Sequence, residues 1–93
     1  MVIGLLTLEF LISSSQSLKD KRQVLASLKK RLHQKFNVSV SETDHQDKWQ
    51  RATLSVACVG SDQMIANQVL NQVTEFAEKD REAELVNISM EFL

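Results

Sequence analysis

Ninety-three residues with 43% hydrophobic and 25% charged side chains make one folded domain with a single core, too short for a second core or a deep substrate cavity and too apolar for a disordered chain. A formal net charge of −1 excludes strong non-specific attraction of the whole molecule to nucleic acid. Cys58 is the only cysteine, which excludes an internal disulfide and a cysteine-built zinc site, so a metal would have to be held by His, Asp or Glu.

The first apolar run, Val2 to Ile12, is interrupted by Thr7 and Glu9 and falls short of the roughly 20 residues a membrane-spanning helix needs. No basic segment precedes it and no small-residue cleavage site follows it, so a secretory signal is not expected. No membrane is expected as a partner, and the expected compartment is the cytoplasm, which also fits the lone thiol. The run reads as a strand with Val2, Leu6, Leu8, Phe10 and Ile12 on one face, and Ile3, Leu5 and Leu11 mixed with Thr7 and Glu9 on the other.

Ser17 ahead of Leu18-Lys19-Asp20 offers a hydroxyl to an early helical N–H and a carboxylate to the positive helix end, so a helix starts there. Leu18, Val24, Leu25, Leu28, Leu32 and Phe36 then fall on one side with no Gly or Pro between them, and the helix is expected to run to about Lys35. Asn37 to Glu42 alternates Val38 and Val40 with serines as a short, polar edge strand does. A polar connection, residues 43–50, leads into a strand from Ala52 to Val59 that Gly60 ends. Ser61 or Asp62 caps a second helix with the stripe Ile65, Ala66, Val69, Leu70, Val73, Phe76 and Ala77, ending near Lys79 or Asp80. A last strand, Leu85 to Phe92, puts Val86, Ile88, Met90 and Phe92 on one side and Asn87, Ser89 and Glu91 on the other.

The order βαββαβ, with one apolar stripe per helix, predicts an α+β ferredoxin-like plait: a four-stranded antiparallel sheet with both helices on one face. Right-handed crossovers put the first and third strands at the centre and the second and fourth at the edges. The predicted core is Leu6, Leu8, Phe10, Leu25, Leu28, Leu32, Val38, Val40, Leu54, Val56, Val69, Val73, Phe76, Val86 and Ile88. There is no repeat, linker or low-complexity segment, so residues 1–93 form one domain.

Three stretches carry a resemblance: Gln16-Ser17-Leu18-Lys19-Asp20-Lys21-Arg22, Phe36-Asn37-Val38-Ser39-Val40, and Asp44-His45-Gln46-Asp47-Lys48-Trp49-Gln50-Arg51-Ala52. Together they are similar to the YlxP-like family of small bacterial proteins, over essentially the whole chain. The resemblance implies a ferredoxin-like fold, in agreement with the patterning. It implies less about activity, since the family is a domain of unknown function often encoded near transcription and translation factors, ribosome-binding factor A among them. Ferredoxin-like domains host RNA binders, sensors, nucleases and dimerisation modules alike.

The charge is unevenly distributed: residues 1–36 carry seven Lys and Arg against Glu9 and Asp20, while the rest carries four basic and ten acidic residues. On the first helix Lys19, Arg22, Lys29, Lys30 and His33 share about a third of the wheel beside the apolar stripe, a surface on which phosphates could dock; the plainer reading is a solvated helix face. No Phe, Tyr or Trp sits on the polar faces of the central strands, which rules out bases stacked on the sheet in the manner of an RRM. The first expectation is therefore a non-enzymatic accessory factor that touches RNA or the ribosomal small subunit through the helix flank.

The alternative is a metal- or ligand-dependent site, a phosphodiesterase or small-molecule sensor, at Asp44-His45-Gln46-Asp47, whose side chains are of the types that bind zinc, manganese or magnesium. No fourth ligand and no second catalytic element accompany them, so neither a metal nor another cofactor is expected and no catalytic residue is assigned. Trp49 and Arg51, two apart, suit a cation–π pair or a surface anchor; otherwise Trp49 covers the core's end and Arg51 pairs with an acid. Cys58 falls among apolar positions and is an unreactive thiol. Ile3, Leu5, Leu11, Ala57 and Val59 on the uncovered sheet face, or the unprotected edge of the last strand, predict a homodimer.

Overall fold

Side-chain oxygens set both helix starts in the computed structural model, which describes residues 1–93. Ser17 and Asp62 take extended backbone, and their side chains accept from the amides of Asp20 and Ile65, so that α1 spans Leu18–Lys35 and α2 Gln63–Glu78. The strands are β1 Val2–Leu11, β2 Ser39–Asp44, β3 Arg51–Gly60 and β4 Glu84–Phe92. They form one sheet in the order β2-β3-β1-β4, with every neighbouring pair antiparallel. This is the ferredoxin-like plait: α1 lies against β2 and α2, and α2 lies across β1, β3 and β4.

Period-two alternation in β1 and β3 supplies the floor of the core. Leu6 faces Val56, Leu8 faces Leu54 and Phe10 faces Ala52 across the central pair, and all six side chains are buried under the helices. Leu25, Leu28 and Leu32 from α1 and Ala66, Leu70, Val73 and Ala77 from α2 close the same cluster, with Ile12 and Ala83 at its ends. Gly4 and Gly60 lie where α2 approaches the sheet most closely: a Cβ on Gly4 would stand 2.8 Å from Leu70 Cδ1, and one on Gly60 3.0 Å from backbone atoms of Ala66 and Asp62. Val38, Val40, Val69 and Phe76 pack against this cluster but keep partial exposure.

Two of the expected core residues are corrected. Val86 and Ile88 remain 52% and 48% exposed. A bulge shifts the register between Glu9 and Phe10, so that Asn87 faces Glu9 while Leu85 faces Phe10, leaving Val86 as the extra residue. Leu85 therefore takes the inward place that strict alternation assigns to Val86. Ile88 stays opposite Leu8 on the helix side of the sheet, but β4 is an edge strand that α2 covers only in part: Leu85, Met90 and Phe92 pack against the core while Ile88 keeps half its surface. The same bulge corrects the reading of β4 as an unprotected edge, since a bulge is one of the devices that keep an edge from pairing.

Candidate nucleic-acid interface

The seven cations of the first 36 residues divide into two groups once folded. Arg31 donates to Asp80 Oδ1 at 2.6 Å across the gap between α1 and the turn before β4. Lys35 Nζ sits 5.1 Å from the ring centre of Phe76 and 5.8 Å from that of Phe36, two rings in edge-to-face contact. Lys21 is only 1% exposed. The remaining four, Lys19, Arg22, Lys29 and Lys30, make no ion pair; Lys19, Arg22 and Lys30 are exposed, as is His33, while Lys29 is half-buried. Together with His33 they occupy the expected flank along about 21 Å of helix, from the 1.5 Å rise per residue.

Lys21 is the residue that sequence reasoning missed. It lies in the middle of the apolar stripe of α1, and its Nζ donates to the carbonyls of His45 at 2.5 Å and Lys48 at 2.8 Å, with Glu42 Oε2 2.8 Å away. The contact with Glu42 is an ion pair whose angles fall outside hydrogen-bond geometry, and Oε2 has no other polar partner. Local chain geometry makes this possible. A bulge between Glu42 and Asp44 leaves Glu42 opposite Leu54 on the helix side, whereas Asp44 stands opposite Thr53 on the open side. Thr43 meets Ser55 through hydroxyls 2.7 Å apart.

The connection between β2 and β3 is held from several directions. His45 has φ 59°, in the left-handed region that a residue with a side chain seldom adopts. Its amide donates to Asp44 Oδ1 at 2.8 Å, and its Nδ1 lies 2.8 Å from Thr53 Oγ1 in a hydrogen bond that covers Thr53. Gln50 anchors the far end: its carbonyl accepts from Ile12 N, and its amide nitrogen donates to the carbonyls of Ser13 and Ser15.

Asp44, His45 and Asp47 thus stand in one loop without converging on a common point: no set of three His, Cys, Asp or Glu side chains is arranged to hold an ion. Arg51 opens β3 and forms no ion pair, and Trp49 lies before that strand, 56% exposed, without a cation over its ring. An indole this exposed does not cover the end of the core. Cys58 is buried, its Sγ 3.7 Å from the Ala66 carbonyl; burial pushes its thiol pKa up, against a smaller lowering by a backbone hydrogen bond with Gly4.

The open sheet face carries Ile3, Leu5, Thr7, Glu9 and Leu11 from β1 beside Val59, Ala57, Ser55, Thr53 and Arg51 from β3. All its apolar residues but Leu11 gather at one end, where Ile3, Leu5 and Ala57 are half-buried and Val59 is 69% exposed. Its other end is polar apart from Leu11, 39% exposed, with Asn87 donating to Glu9. No helix of the chain is long and apolar enough to cross a membrane.

The plait, the loop held by a buried lysine and the unpaired basic flank define a small α+β domain. The chain belongs to the family of proteins of unknown function DUF503, which matches residues 3–90. It is 39% identical over 83 residues to the uncharacterized protein YlxP of Bacillus subtilis (strain 168), covering 89% of this chain and 90% of that one.

Proposed function

We propose that the protein is a non-enzymatic accessory factor that touches RNA or the ribosomal small subunit through the outer flank of α1. One observation carries this reading: of the chain's two ion pairs neither involves Lys19, Arg22, Lys29 or Lys30, so this flank keeps four uncompensated cations on one helix. Lys and Arg that neutralise phosphates release condensed counterions, and four contacts to single-stranded RNA correspond to a log–log salt slope of about −3. Co-sedimentation with small ribosomal subunits across a salt series tests it. Association should be strong at low salt, fall with that slope, and disappear when Arg22, Lys29 and Lys30 are all changed to Glu. Lack of association at low salt removes the reading.

The rival, a metal- or ligand-dependent loop at Asp44, His45 and Asp47, is tested by calorimetric titration with zinc, manganese and magnesium; saturable heat lost in His45→Ala would favour it. Pairing of two copies belongs to this proposal through the apolar end of the open sheet face, around Leu5 and Val59. Light scattering at micromolar concentration should give twice the chain mass, reverting to one on Leu5→Asp. One chain mass at every concentration rejects the pairing.

A further inference from the structure

The indole of Trp49 is the one large aromatic group exposed by a chain whose four phenylalanines are buried or half-buried. Exposure alone would be unremarked, but the backbone on both sides of it is pinned. Lys48 on one side is fixed through its carbonyl by Lys21 Nζ, and Gln50 on the other is fixed through its carbonyl by Ile12 and through its side chain by Ser13 and Ser15. A buried lysine, a left-handed His45 and a bidentate glutamine therefore immobilise a loop that places its largest side chain in water. The surroundings are charged in one sense more than the other: Trp49 lines an open depression with Lys48, Gln50, Arg51 and Asp47, two cations against one acid. The loop is tied to α1 at Lys21, next in sequence to Arg22 of the unpaired flank.

We infer that Trp49 is a stacking platform for an unpaired base of single-stranded RNA, with Lys48 and Arg51 positioned for the phosphates on either side of that base. The inference rests on the RNA reading above and adds to it a contact that electrostatics alone does not supply. A flat indole offers its face to any base, so the contact tolerates sequence, and the pinned backbone lowers the ordering cost of binding. The edge of the loop thereby does what the open sheet face, on which β1 and β3 place no aromatic side chain, does not.

Trp49 is the only tryptophan, so intrinsic fluorescence of the full chain reports the contact directly. Titration at low salt with oligouridylate and oligoadenylate should quench the emission saturably, and more with adenine, the better stacker. Trp49→Ala should weaken binding, followed by anisotropy of labelled RNA, by roughly five- to a hundredfold, and Trp49→Phe should keep most of the affinity. An abasic oligonucleotide of equal length should bind with the affinity that Trp49→Ala shows for the intact strand. Three results overturn the inference. RNA binding that survives Trp49→Ala unchanged and leaves the emission unquenched removes the stacking and keeps the basic flank. Absence of any RNA binding by the folded wild-type chain removes both. A response of Trp49 to ribosomal proteins stripped of RNA, with none to RNA, assigns the indole to a protein partner.

Discussion

Replacing Lys21 with Met keeps the aliphatic stem inside the core and removes the ammonium that holds Glu42, His45 and Lys48 together. The His45 carbonyl would still accept from Lys48 N at 3.0 Å, but the Lys48 carbonyl would lose its side-chain donor and Glu42 Oε2 its only polar partner. Removing one member of a buried pair costs about 3 to 5 kcal/mol. The Glu42 side chain is 20% exposed, which places the expectation at the lower end, about 3 kcal/mol. For a domain of this size that corresponds to a fall in Tm of roughly 12 to 24 °C. Urea unfolding followed in parallel by far-ultraviolet circular dichroism and by Trp49 emission measures it, and the emission should change at lower urea than the dichroism if the loop releases first. The double variant Lys21→Met, Glu42→Leu should recover a large part of the loss, because replacing both members with apolar groups leaves no orphaned charge. A loss under about 1 kcal/mol, the worth of an exposed pair, or simple additivity in the double variant would refute the clamp.

Asp80 is held on one side by Arg31 and on the other by the amides of Glu82 and Ala83. Burial alone would raise its pKa, but these hydrogen bonds and the Arg31 charge together hold it below the ordinary aspartate value. Its folded pKa being below its unfolded one, its contribution is complete above about pH 4 and is lost as pH falls through the folded value. Asp80→Ala should therefore cost about 1 to 2 kcal/mol at pH 7 and less at pH 3, read from urea midpoints; an equal cost at both pH values contradicts the assignment. Gly60→Ala should lower stability by about 1 to 3 kcal/mol, because the new Cβ meets backbone at 3.0 Å, while Gly4→Ala, meeting the movable end of Leu70, should cost less; thermal melts of the two variants rank them. Cys58 should react with an aromatic disulfide reagent at pH 8 only at the rate of unfolding, and a rate equal to that of free cysteine would place the thiol at the surface.

The fold was legible because its two periodicities are clean. The stripe of α1 and the even positions of β1 and β3 each name one buried face, and both caps lie at or beside the expected residues, Ser17 and Asp62. β4 was misread for a reason that alternation cannot contain. A bulge adds one residue to one strand, and its place depends on the partner strand; parity read along Leu85 to Phe92 holds for Ile88 to Phe92 and fails at Val86. The exposure of Ile88 has a different cause: it faces the helix side from the edge position that the crossover rule assigns to the last strand, where one flank has no neighbouring strand.

The charge of the first 36 residues was legible as a total, but not how it divides between fold and surface. Lys21, Arg31 and Lys35 of the same half of the chain serve the fold, and composition does not distinguish them from the other four, which form no ion pair. For Lys21 the signal was present. It continues the stripe of Leu25, Leu28 and Leu32 at the spacing of helical turns, a place where burial is expected and a cation needs a partner. The partner was marked in the same way, because Glu42 continues the alternation of Val38 and Val40 toward the helix side. A cation in an apolar helical stripe and an acid at the next inward position of an edge strand constrain each other, since leaving either alone in the core costs several kcal/mol. Taken together they place the end of β2 under the first turns of α1, and with it the loop that carries Trp49.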